Sequence, residues 1–175
     1  MTVDQATTTA SRVHAGEVLL DGLFTGMLGA LAVALWFFLV DLAAGRPLYT
    51  PALLGTVLLH GGTAAVQGVN VAPLEVVAYT AFHFLVFIVL GIGLSYLMTL
   101  FEQFPIVGFL LLVLFLSLQL MFFVLDLALG AQLIGKLKAW TVVVGNLLAA
   151  GVMAWYLWKR HPKIRQGLEH VWDRE

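Results

Sequence analysis

The sequence predicts an all-α integral membrane protein: four transmembrane helices, with a short interfacial or re-entrant helix in the first outer loop. Three observations predict it. Apolar residues make up 61% of the 175 positions and charged residues 11%, with a mean hydropathy of +0.98, far from the balance a soluble domain needs. Four apolar runs each reach the roughly 20 residues that a bilayer core demands. No run alternates with the two-residue period of a membrane β-strand. Without water in the bilayer, backbone groups in such runs bond internally, so the runs are helices.

Residues 1–18 are polar and mixed in charge, and read as a cytoplasmic segment. The apolar run that follows exceeds a signal-peptide core of about 7–15 residues, so it reads as an uncleaved first span. That span covers about 19–43 and ends in Asp41, with Gly45 as its stop. The long loop after it opens with Thr50-Pro51, an N-cap followed by a favoured first helical residue. The apolar stretch to His60 predicts a helix over 51–60, too short to span, lying on or dipping into the leaflet and capping the bundle. Thr63 to Ala72 reads as irregular. Span two is expected at about 74–100, with Pro73 in its first turn and Glu75 where the helix dipole favours an anion. Span three is expected at about 105–129, starting at Pro105 and ending in Asp126 before Gly130. Span four is expected at about 139–158, completing a transmembrane unit over 19–158. A basic tail, 159–175, follows.

Lys and Arg set the orientation. Arg12, Lys159, Arg160, Lys163, Arg165 and Arg174 lie on the terminal side, against Arg46, Lys136 and Lys138 on the other. The bias predicts a multi-pass protein of a bacterial-type inner membrane with both termini cytoplasmic. Trp155, Tyr156 and Trp158 beside Lys159 and Arg160 form an interface anchor.

Two stretches echo each other. Phe37 to Gly45 and Phe122 to Gly130 match at six of nine positions, and Ala78-Tyr79-Thr80 resembles Ala139-Trp140-Thr141. The echo suggests two tandem helical hairpins, a repeat class found in transporters; a Phe/Leu/Ala-rich composition produces similar matches.

Ionisable groups at membrane depth need partners and raise a functional question by default. Asp41 and Asp126 form one candidate layer. Their structural reading is pairing with Arg46, Lys136, Lys138 or free loop N–H groups; their functional reading is proton or cation binding. His83, Gln119 and Asn146 form a second layer, roughly 10–15 Å below the outer surface at 1.5 Å per residue, with Trp36 near that level. Interhelical hydrogen bonds are the plain reading of this layer, and a ligand or quinone contact the alternative. Glu75, Tyr79 and His83 recur every four residues and share a helix face.

The negative observations narrow the chemistry. The chain has no cysteine, which removes disulfides, thiolate catalysis and Cys-ligated metals. With a net charge of −1 and no basic patch, nucleic acid is not an expected partner. His60 and His83 are the candidates for bis-His haem, which needs both rings facing one cavity; zinc lacks a close-spaced motif. No catalytic or metal residues are assigned: Ser95 and Ser117 have no base at useful spacing, and Gly91-Ile92-Gly93 is not a phosphate loop. No cofactor is expected; haem and quinone are the ones considered.

Small residues mark packing. Gly22, Gly26, Ala30 and Ala34 line one face of span one, and Gly145 and Ala149 one face of span four, predicting close approach of these two spans or of either to a partner. Span three, from Leu110 to Leu116, presents large apolar residues to lipid or another protein. These features predict a non-enzymatic accessory or structural subunit of a larger membrane complex, with lipid and other membrane subunits or further copies of the chain as neighbours. The alternatives are a proton, cation or small-solute carrier using Asp41, Asp126 and His83, and a redox module binding quinone or haem at His83.

Overall fold

The computed structural model describes residues 3–101 and 139–160. Asp126, Gln119 and the whole expected span three lie outside the described residues. The described elements are all helices: α1 (Val3–Ala43), α2 (Tyr49–His60), α3 (Gly62–Gln67), α4 (Pro73–Phe101) and α5 (Ala139–Arg160). Three of these helices are long and apolar enough to cross a membrane, over Ala15–Ala43, Pro73–Met98 and Trp140–Arg160.

The helix boundaries depart from expectation at three places. First, α1 begins at Val3 rather than near 19, since neither proline nor glycine interrupts Val3 to Ala15. Second, α2 begins at Tyr49, with Leu48 rather than Thr50 as its N-cap. Pro51 thus falls within the first turn, where its missing N–H breaks no intrahelical bond. Third, Gly62–Gln67 is a short helix rather than irregular chain: the Ala64-Ala65 pair lies between two glycines, and Ala65 is buried.

α1 is the central post. It packs against α4 on one side and α5 on the other, while α4 and α5 scarcely touch. Both neighbours run antiparallel to it. Gly22 meets Ile92, and Gly26 meets Phe87 and Ile88 of α4; Gly29 meets Met153, and Gly145 meets Trp36 and Phe37, across the α5 contact. We call the end near Asp41 the loop end and the end near Asp21 the terminal end.

The small-residue stripe of α1 therefore does not serve span four alone. Gly22 and Gly26 press against α4 at Gly91, where backbones touch directly, and Ala30 is fully buried. Lipid tails are as apolar as leucine, so close packing and interhelical hydrogen bonds supply the cohesion here. The opposite face of α1 carries Leu20, Phe24, Met27, Leu31, Leu35, Phe38 and Leu42, all exposed. Their spacing of three or four residues makes one apolar stripe suited to lipid.

α2 runs back along the start of α4. Pro51 shares a cavity with Tyr79 and Thr80, Gly55 lies on the Glu75 backbone, and His60 reaches the Glu75 side chain. Its buried residues are Thr50, Ala52, Leu53, Gly55 and Thr56.

Candidate functional site

Asp41 sits in the last turn of α1 and is only 4% exposed. The chain turns through Gly45, at φ 70, and brings the first turn of α2 back onto the carboxylate. The Thr50 N–H donates to Asp41 Oδ2 at 2.6 Å, and the Thr50 hydroxyl donates to Oδ1 at 2.8 Å. A first-turn N–H of α2 thus finds its acceptor on another helix, where N-cap chemistry normally uses the residue just before the helix. The Arg46 N–H also donates to the Asp41 carbonyl at 2.9 Å. The Arg46 guanidinium stacks over Tyr49, 4.1 Å from the ring centre. Beside this junction lies an open cavity of about 340 Å³, bordered by Asp41, Arg46, Tyr49 and Trp140.

Trp36 belongs to the same end of the molecule. Its indole N–H donates to the Thr141 carbonyl at 2.7 Å, and its ring meets Trp140 edge-on at 6.1 Å. A carbonyl in the first turn of α5 is thereby tied to α1.

One level deeper, His83 Nε2 lies 3.2 Å from the Ala30 carbonyl of α1. A carbonyl only accepts, so this bond requires the proton on Nε2 and leaves Nδ1 as the acceptor. The ring lies 5.6 Å from Tyr79 and 4.7 Å from Phe87. Glu75 departs from the stripe it shares with them in sequence. Its Oε1 pairs with His60 of α2 at 3.2 Å, while its Oε2 is buried without a partner among the described residues. His60 and His83 are therefore engaged in different places and are not brought onto one ligand position. Asn146 of α5 holds an interaction of its own. No group of three His, Cys, Asp or Glu among the described residues is placed to hold a metal.

Sequence reasoning missed Asp21. Its residue is 8% exposed, and its Oδ1 accepts from Arg160 Nε at 2.8 Å and Nη2 at 2.7 Å. The pair clamps α1 to the last turn of α5 at the terminal end. Asp21 stands at the edge of the polar N-terminal segment, where a carboxylate reads as solvated. The available signal was the arginine at the far end of span four, at the matching depth. Next to Arg160, Lys159 sits 4.2 Å over the Trp155 ring. Ser95 is fully buried with its hydroxyl unpartnered among the described residues, so no base stands beside it there.

The arrangement thus joins the helices at both ends and in the middle. The chain matches no protein-family model, no curated protein and no solved structure.

Proposed function

We propose that this chain is a small four-span membrane protein acting as an accessory or structural subunit of a larger membrane complex. One observation carries the reading. The ionisable side chains Asp21, Asp41 and His83 of the described spans each bond an element other than their own, and the Trp36 indole does the same. Polar groups committed to internal hydrogen bonds fix helix register. The carrier reading needs Asp41 open to a moving ion, whereas both of its oxygens hold Thr50.

The fourth span has topological support. α4 ends at the terminal end and α5 starts at the loop end, an arrangement that a further crossing between them would join. The apolar run 105–129 fits that crossing, and with it the pairing of spans into two tandem hairpins. Arg160 at the terminal end and Arg46 at the loop end keep the Lys/Arg bias as the guide to orientation, with both termini cytoplasmic in an inner membrane.

Beyond its helices the described chain has little mass with which to act alone, and it offers apolar side faces. Leu74, Val77, Leu85 and Val89 of α4 are exposed, at 66%, 65%, 59% and 61%. A photo-crosslinking residue at Leu85 or Val89, used in native membranes, tests the reading. The expected result is one discrete adduct with a second polypeptide, absent when the probe stands at Gly16. Adducts to lipid alone from both positions overturn it.

A further inference from the structure

A cavity of about 110 Å³ lies between α1, α2 and the start of α4, lined by Val33, Phe37, Pro51, Val76, Tyr79 and His83 among others. Its size is in the range of a single six-membered ring; an engineered apolar cavity of about 150 Å³ takes up benzene. Phe38, Leu48 and Thr80 also line it and are exposed. The cavity is therefore open at these residues, of which Phe38 and Thr80 lie within the stretches of α1 and α4 long and apolar enough to cross a membrane.

The hydroxyls of Thr50 and Thr80 in the wall are already spent on the Asp41 carboxylate and the Val76 carbonyl, which leaves two polar groups one helical turn apart, on Tyr79 and His83. With its proton on Nε2 for the bond to Ala30, the neutral His83 ring offers Nδ1 as an acceptor. The Tyr79 hydroxyl makes no hydrogen bond to a described residue and can both donate and accept. A polar atom facing hydrocarbon without a partner is costly. One chemical group satisfies both positions at once: a hydroxyl, which donates to Nδ1 and accepts from Tyr79. A carbonyl or carboxylate oxygen only accepts and leaves Nδ1 unmet.

We propose that this cavity binds the hydroxylated ring of a lipid-soluble phenol or quinol that enters sideways from the bilayer. The hydroxyl seats between Tyr79 and His83, and the ring packs on Phe37, Val33 and Val76. The site goes beyond the subunit reading and does not depend on it, because it is complete within this chain.

Equilibrium binding to the full chain in lipid nanodiscs tests it, using radiolabelled 2-decyl-1,4-hydroquinone as the quinol, its oxidised quinone and 4-propylphenol. The expected result is saturable binding of the quinol, with the quinone about tenfold weaker for want of one hydrogen bond. Tyr79→Phe should weaken quinol binding about tenfold too, and it breaks no hydrogen bond among the described residues. Saturable phenol binding as well assigns the site to the ring hydroxyl in general, and quinol binding alone assigns it to reduced quinones. Non-saturable partitioning of both, quinone binding as tight as quinol, or unchanged binding in Tyr79→Phe overturns the proposal. Because the assay needs no partner protein, its failure leaves the crosslinking result untouched.

Discussion

At the residue scale, Asp41 shows how a carboxylate within an apolar run is used. Its two oxygens receive an N–H and a hydroxyl from one threonine, and both hydrogen bonds are charge-assisted. Asp41→Ala leaves the Thr50 N–H buried without an acceptor, and should destabilise the fold by about 1–3 kcal/mol. Thr50→Val removes only the hydroxyl bond and should cost about 1 kcal/mol. Denaturant titration in detergent, monitored by helicity, measures both; equal losses would mean that the backbone bond contributes nothing. Asp41 was legible in the sequence, because a carboxylate next to a loop in a membrane span needs donors and loop N–H groups are at hand. That it would take Thr50, the residue expected to cap α2 itself, was not legible, since a cap is normally local. Asp21 was illegible for a related reason: its partner stands 139 residues away, and no local pattern reports such a pair.

At the scale of elements, helix existence followed from hydropathy and length, while partner choice did not. A glycine stripe announces a close approach without saying to which helix. Two glycines on α4 separate the effects. A methyl group at Gly91 would collide with the backbone of Gly22 and Gly26, whereas one at Gly93 meets nothing within 4 Å. Gly91→Ala should therefore force α1 and α4 apart and cost about 1–3 kcal/mol. Gly93→Ala should be neutral or stabilising by up to about 1 kcal/mol through helix propensity. Thermal unfolding of the two variants side by side checks this, and similar midpoints would remove α1–α4 contact from the account. The short helix α3 was missed because six residues carry too little periodicity to declare themselves.

At the scale of the whole molecule, α1 holds α4 and α5 in place, with a polar tie at each end of the α1–α5 contact: Trp36 to Thr141 and Asp21 to Arg160. The absence of cysteine makes single-cysteine labelling clean. A cysteine at Thr63 should react with a membrane-impermeant maleimide from one face of the membrane. Cysteines at Gly16 and Lys159 should react from the other, and reaction of all three from one face would refute the antiparallel arrangement. The general architecture was legible because the bilayer restricts a chain this apolar to helices of fixed length. The function was not legible in the sequence, since the same intramembrane polar residues serve a structural bundle or a transport path.

The most direct test of the subunit reading is the mass of the particle that carries this chain, extracted from its native membrane in a mild detergent. The account predicts a complex well above 19.1 kDa that contains a second polypeptide at fixed stoichiometry. A particle of this chain alone, as monomer or homo-oligomer, would contradict it.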